Sequence, residues 1–240
     1  MGHKRHTMVI MPILSIVYED SSILVINKPS GLLTHPRNEN DKRESVAGWL
    51  AEHYPGAVWA HRLDKDTSGI LLVAKTPASH EYYKSLFHDR KIQKTYLALV
   101  YGHPKQDHGV IDAPLFKFGT RQSMRPPREG KTLERAAVTE YKVLNRYSLL
   151  TIHYSLLEVF PKTGRTHQIR IHLRSIGHPI VCDPIYAEKS RICPADLGRL
   201  FLHAQKLSFT DMQGKAMTLE ADMPPELEKF LKTVRSAHEV

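Results

Sequence analysis

The sequence has little cysteine, no long apolar run and too few acidic residues to balance its basic ones, and each shortage removes a class of protein. Only Cys182 and Cys193 occur in 240 residues. Two cysteines cannot build a disulfide framework, and neither stands in a Cys-x-x-Cys or other metal-ligand spacing, so a reducing cytoplasm fits this usage best. The N-terminal stretch "MGHKRHTMVIMPILSIVYED" has the basic start and apolar run of a secretory signal, but Pro12 interrupts the run and no small-residue cleavage site follows. The expectation is a basic disordered tail over residues 1–12 and a protein neither secreted nor membrane-spanning. There is no glycine fingerprint for a dinucleotide and no Walker-type phosphate loop. "HRLD" resembles a kinase catalytic loop, yet the glycine-rich loop, the Asp-Phe-Gly and the offset asparagine are all missing. Among 15 histidines, His167 and His172 diverge on a helix with no carboxylate or cysteine to complete a site, so no bound metal is expected.

What is present is ordinary in hydrophobicity and unusual in charge. The chain is 41% hydrophobic and 25% charged, enough for one large domain or two small ones. Lys and Arg number 34 against 25 Asp and Glu, a net charge of +9 and a pI near 9.5. Such a balance suits a polyanionic partner, since clustered cations release the counterions condensed on a phosphate backbone, but it does not demand one.

Strand signals dominate the first half. "ILSIVYED" and "SILVINKP" are short, β-branched and bounded by turn residues, and read as a hairpin. Val46, Trp49 and Leu50 recur at helical spacing before Pro55-Gly56, and Thr76-Pro77 looks like an N-cap with proline in the first turn, ahead of an apolar face from Tyr83, Leu86 and Phe87. "KTYLALVYG" alternates as a strand. "AAVTEYKVL" and "LLTIHYSLLEV" suggest a second hairpin turning at Asn145 to Ser148. The segment from Phe118 to Arg135, with many arginines and two prolines, reads as a mobile basic loop, by default a solvated insertion and, if it faces a cleft, a clamp on phosphates. Ile169, Leu173 and Ile176 at i, i+4 and i+7, with Gly177 placed for a left-handed cap, predict a helix from Thr166 to Ile176. On that reading Arg165 starts the helix and His167, Arg170 and Arg174 form a basic stripe opposite the core face. With no repeat or linker separating these elements, the prediction is one α+β domain over residues 13–225, with a mixed, mainly antiparallel sheet, followed by a C-terminal helix or tail over 226–240.

Asp64, in "HRLDKDTSGILLVAKT", stands at the mouth of an apolar strand just before a Thr-Ser-Gly turn. Read alone it is equally a turn aspartate with a surface ion pair and a reactive carboxylate. Its company narrows the choice. "NKPSGLLTHP", "HRLDKDTSGILLVAKT", "KTYLALVYG" and "PKTGRTHQIRIHL" occur in that order, with "DPIYA" and "LFLHAQKLSF" beyond, and together resemble the motif set of the RluA-type RNA pseudouridine synthases across residues 13–223. Only about a dozen residues precede the first strand, so the chain looks like a minimal member without the small N-terminal RNA-binding module of some relatives.

The resemblance implies an isomerase that needs no cofactor or metal. It would cleave the bond between ribose and uracil in structured ribosomal or transfer RNA, turn the base over and rejoin the sugar to carbon 5. Asp64 matches the family's essential aspartate, acting as nucleophile on the sugar or as base at its 2' position, and Tyr96 matches the active-site tyrosine. Arg165 is the match for the ion-pair partner that would lower the carboxylate pKa and orient it. Arg62 resembles the residue that enters the RNA stack when the target base is flipped, and His61 beside it, with His167, Arg170 and Arg174, would contact RNA. Leu202 would form an apolar wall under the uracil. A monomer in the cytoplasm is the simplest expectation. Two other readings are a non-catalytic RNA-binding or assembly factor that keeps the fold, and a glycosidase. The first has no use for an ion-paired carboxylate facing a polyanion, and the second requires a second catalytic carboxylate.

Overall fold

The computed structural model describes residues 14–36, 38–41, 43–118, 121–124, 133–188 and 193–236. The predicted tail 1–12 and most of the basic stretch between Phe118 and Leu133 lie outside the described residues.

In chain order the elements are β1 (Ser15–Glu19), β2 (Ile23–Lys28), α1 (Val46–His53), β3 (Val58–Trp59), β4 (Ser68–Ala74), α2 (Pro77–His88), β5 (Gln93–Tyr101), β6 (His108–Asp112), β7 (Leu115–Phe118), β8 (Arg121–Ser123), β9 (Leu133–Arg135), β10 (Val138–Leu149), β11 (Ile152–Pro161), α3 (Gln168–Ser175), β12 (Leu202–Thr210), β13 (Ala216–Glu220) and α4 (Pro225–Ser236). Among the described residues, the main sheet runs β1-β2-β4-β12-β5-β11-β10-β6, with β3 on β4 and β13 on β12, and β7 to β9 form a small separate sheet. Every pairing is antiparallel except β4 with β12, which touch in parallel at His203 opposite Ser68 and Ala204 opposite Gly69. The mixed α+β architecture is the one predicted.

Local sequence explains most of these elements. Ser45 caps α1 by accepting from the Gly48 N–H at 3.1 Å, and Thr76 and Ser79 close a reciprocal capping box around Pro77 at the start of α2. Three parts depart from the reading. The segment Phe118 to Arg135, read as a mobile basic loop, contributes β8 and β9, which both pair with β7. The β10–β11 hairpin turns at Leu150 and Thr151, with Leu149 opposite Ile152 and Leu150 in a left-handed conformation at φ 54°. The polar Asn145 to Ser148, read as the turn, are paired residues of β10 beyond a bulge between Val143 and Asn145. α3 begins at Gln168 because His167 adopts φ 55°, which no helix continues. Gly177, at φ 87°, supplies the left-handed residue after its other end.

Hydrophobic burial divides into two large cores and a small third cluster of Leu115, Ala137, Ile171 and Tyr186. One core gathers β1, β2, β4, α1 and α2 around Leu24, Leu71 and Tyr83. The other gathers β5, β10, β11, α3 and α4 around Leu99, Leu157 and Phe230. Helix α4, read as an appendage, buries Leu227, Phe230, Leu231 and Val234 in the second core. Cys182 and Cys193, read as fitting a reducing cytoplasm, are instead joined in a disulfide across a sequence separation of 11. Tyr96 packs against both cores, so its place on β5 marks the seam between them.

Candidate active site

At that seam opens a cavity of about 610 Å³. Asp64 and Thr67 reach it from the loop before β4, Tyr96 from β5, Arg165 and His167 from the loop before α3, and Leu202 from β12. Residues spread over most of the chain therefore converge on one space.

The loop that carries Asp64 is held by main-chain bonds to the "NKPSGLLT" segment. Thr34 Oγ1 accepts from the Leu63 N–H at 3.2 Å and donates to the Leu63 carbonyl at 2.9 Å. The Lys65 carbonyl accepts from the Gly31 N–H at 2.9 Å and from Lys28 Nζ at 3.1 Å, and Ser30 Oγ donates to the Asp66 carbonyl at 2.8 Å. Lys28 is fully buried, and it also donates to the Pro29 and Leu32 carbonyls, both at 2.8 Å. Burial pushes its pKa down to about 7, while the negative charges of Asp64 and Asp66 pull the other way.

The Thr-Ser-Gly turn has a reason at each position. Gly69 sits at φ 118° where β4 crosses β12, and a Cβ there would overlap the Ala204 carbonyl. Arg199 Nη2 donates to Ser68 Oγ at 2.8 Å, so the Ser68 hydroxyl donates in turn to His203 Nδ1 at 2.9 Å. That leaves His203 Nε2–H to donate to the Ala221 carbonyl at 3.1 Å. Burial holds this neutral imidazole's pKa at about 4. Thr67 is buried at the cavity wall, and its Oγ1 has no hydrogen-bond partner among the described residues.

The Asp64 carboxylate itself makes no ion pair and accepts no hydrogen bond from a described residue. Tyr96 stands close enough to respond to it: its hydroxyl pKa is raised, first by burial and then by the charge of Asp64. The expected ion pair with Arg165 is not formed. Arg165 lines the same cavity, but its Nε donates to the Ala136 carbonyl at 3.3 Å, and its N–H to Gln168 Oε1 at 3.0 Å. The cations whose protonation responds to Asp64 are Lys28, His167 and Arg170.

Arg170 is a further correction. It was read as part of an RNA-facing stripe, yet its side chain is 1% exposed and grips Asp183 through Nε and Nη2, both at 2.7 Å. Its guanidinium lies over the Tyr186 ring at 5.2 Å from the centroid. Asp183 also accepts from the Ile185 and Tyr186 N–H groups, which accounts for the "DPIYA" segment. Helix α3 is buried nearly all round rather than split into apolar and basic faces. Arg174 is exposed but does not line the cavity. His61 does line it, as an aromatic wall rather than a cation: Nε2 accepts from the Leu72 N–H at 3.1 Å, the ring stacks on Phe87 at 4.3 Å, and burial pushes its pKa down to about 3. His167 Nδ1 bonds the Tyr186 hydroxyl at 3.0 Å, and burial lowers its pKa. Arg62 is exposed at the cavity mouth with no bonded partner among the described residues.

Sequence reasoning missed Lys28, Thr34 and Gln168. Gln168 organises the "KTGR" loop by accepting from Thr163 Oγ1 at 2.6 Å and donating to the Val138 carbonyl and to Thr139 Oγ1. Its signal was a lone polar residue between helix positions otherwise assigned to core or charge. Among the described residues no three His, Cys, Asp or Glu side chains stand together as metal ligands, and no helix is long and apolar enough to cross a membrane.

Residues 22–175 match the sequence profile of the family described as RNA pseudouridylate synthase. The dual-specificity RNA pseudouridine synthase RluA of Escherichia coli strain K12 is 37% identical over 224 residues, covering 92% of this chain and 98% of the relative. The ribosomal large subunit pseudouridine synthase D of Zymomonas mobilis is 38% identical over 237 residues, covering 91% of this chain and 72% of the relative. Among solved structures, human RNA pseudouridylate synthase domain containing 1 superposes with a TM-score of 0.75 at 26% identity, over 93% of this chain and 95% of that one.

Proposed function

Because the chain belongs to the RNA pseudouridylate synthase family and is an isomerase of the RluA type, we propose that Asp64 is the residue on which its reaction turns. The substrate we assign is a uridine in structured RNA, either in a stem-loop of ribosomal RNA or in transfer RNA. The relative that acts on the ribosomal large subunit supports the first choice, and the dual specificity of the other is what a second class of RNA would require.

One observation carries the reading: the Asp64 carboxylate stands unpartnered in the cavity beside Tyr96. An aspartate retained only to close a turn would be bonded to its own loop. Here the loop is held by other groups, and the carboxylate is left for a ligand. In the proposed sequence the uridine leaves its stack and enters the cavity, which costs a few kcal/mol that contacts to the rest of the RNA must offset. Arg62 fills the vacated position, since a guanidinium plane stacks on bases and bonds phosphate. Leu202 offers the uracil an apolar surface, and Tyr96 a ring to stack on and a hydroxyl that keeps its proton. Asp64 either displaces the ring nitrogen from the anomeric carbon or removes the 2' proton as that bond breaks; the base turns over, carbon 5 bonds to the anomeric carbon as Asp64 departs or the 2' carbon regains its proton, and the carbon 5 proton is lost while the freed nitrogen takes one up. Arg165, on the cavity wall, is the cation that would meet Asp64 once RNA crowds the site. His167 and Arg174 complete the RNA-facing set. We place the enzyme in the cytoplasm as a monomer.

Total RNA from a strain lacking the enzyme, tritiated at uracil carbon 5, tests the reading. The chain should release tritium, and Asp64→Asn should lower the rate by at least about a thousandfold while leaving the melting temperature unchanged, as befits loss of a group that acts covalently or as a base. Release by Asp64→Asn at the wild-type rate would remove Asp64 from the reaction.

A further inference from the structure

The cavity has a second wall that the proposed reaction does not use. It is built from the C-terminal end of α2, the short link that follows and the start of β5, which present Lys84, His88, Arg90 and Lys94 alongside Phe87. Two of the four are already paired: Lys84 with Glu81 at 3.5 Å and His88 with Asp89 at 3.0 Å. Arg90 and Lys94 have no carboxylate partner among the described residues.

Both are placed at a cost. Arg90 follows α2 in the left-handed conformation, φ 60°, with its N–H bonded to the Phe87 carbonyl and the Lys91 N–H to that of Leu86. Glycine is the residue that ends a helix this way without strain, yet here an arginine does so and faces the cavity. Lys94 is part-buried beneath the "KTGR" loop. Its ammonium donates to the Thr163 carbonyl at 3.1 Å and lies 4.0 Å from where a Cβ on Gly164 would be. That single bond leaves two of its three N–H donors unused. Burial, and then the charge of Arg90, push the Lys94 pKa down to about 8. Two like charges set together without an acid are unfavourable until an anion joins them.

We propose that Arg90 and Lys94 form a phosphate-binding subsite on the cavity rim, which grips the RNA backbone beside the displaced uridine. The inference rests on the isomerase reading above and adds a substrate contact to it. A phosphodiester between the two would take a bidentate pair from the guanidinium and the free N–H groups of the ammonium. It would also supply part of the binding energy that base flipping requires.

The test measures binding of fluorescein-labelled oligouridylate against salt, together with tritium release from total RNA. Arg90 is exposed, so Arg90→Gln should fold normally. Its log K against log salt plot should be shallower than wild type by about 0.7, the increment for one phosphate contact on a single strand. Its KM should rise about tenfold, as for loss of one charge-assisted bond, with kcat within about twofold. Lys94→Gln should behave alike. Lys94→Arg, which keeps a cation and reaches the same loop, should recover most of the slope. As a control, Lys229→Gln removes an exposed lysine of α4 outside the cavity and should leave the slope at wild type. If wild type releases no tritium, the isomerase reading falls and the subsite with it. If wild type is active while Arg90→Gln keeps its slope and KM, or Lys229→Gln flattens the slope equally, the subsite alone is overturned.

Discussion

Gly69 and Thr67, two positions apart, call for opposite experiments. Gly69→Ala forces a methyl into the Ala204 carbonyl at a backbone angle that L-residues avoid. It should cost at least about 3 kcal/mol, from strain plus displaced main chain. Urea unfolding would check this, and a midpoint within experimental error of wild type would contradict the crossing of β4 and β12. Thr67→Val replaces an orphaned buried hydroxyl with a methyl of the same shape, and should leave stability unchanged or raise it by about 1 kcal/mol. A clear loss in the same unfolding experiment would mean that the hydroxyl has a partner. Much at this scale was legible in advance. Asp64, Tyr96, Arg62, Arg165, His167 and Leu202 all line one cavity, because their motifs fix the order of chemical groups along the chain. What could not be read was the partner of each charge. Arg170 looked like its neighbours Arg165 and Arg174 until Asp183, 13 residues on, was seen to take it out of solvent. Such a pairing depends on how a helix and the following loop pack, and no local pattern records it.

Elements show the same division. Strands β1, β2, β4, β5, β10 and β11 were legible because alternation and β-branched runs are local properties, whereas β8 and β9, inside the segment read as a basic loop, were not. The turn of the β10–β11 hairpin was misplaced because Asn145 to Ser148 have turn-forming side chains but lie in a ladder whose register the partner strand sets. The clasp around the aspartate loop is also a between-element feature. Thr34→Val removes both bonds to Leu63 while keeping the shape of the side chain. It leaves two buried main-chain groups unpaired, so stability should fall by about 2 kcal/mol. Turnover should fall more than KM rises, because the loop that holds Asp64 loosens. Steady-state tritium release would separate the two, and an unchanged kcat would show that the clasp does not position Asp64. Reduction of the Cys182–Cys193 link frees a short loop next to Asp183. By chain entropy it should cost up to about 3 kcal/mol, read as a lower melting temperature in dithiothreitol.

For the molecule as a whole, the buried ionisable groups set a pH profile. Lys28 and Lys94 fall to about 7 and about 8 from an ordinary 10.5. Between those values the unfolded chain holds protons that the native one does not, so raising the pH favours the fold. His61 and His203, at about 3 and about 4 instead of 6.5, act in the same sense on the acid side. Tyr83, Tyr154 and Tyr186, raised from 10.0 to about 12, act in the opposite sense. Above pH 10 the unfolded chain has lost protons that the native one keeps, so stability falls. Thermal unfolding should therefore show a melting temperature that climbs from acid pH to a maximum at roughly pH 9 to 10 and then drops. A maximum at neutrality would mean that the lysines are not held as described.

The parallel contact of β4 with β12 also sets a schedule. Asp64 and the groups that clasp its loop are made well before β12, and Ser68 and Gly69 must wait for His203 and Ala204, with His203 standing 135 positions after Ser68. Until β12 has emerged and slid in between β4 and β5, the seam has no second side and the cavity no floor. A growing chain thus carries Asp64 for well over a hundred further residues before the cavity around it can close. The site is completed only once β12 is in place, in one long-range and therefore slow step.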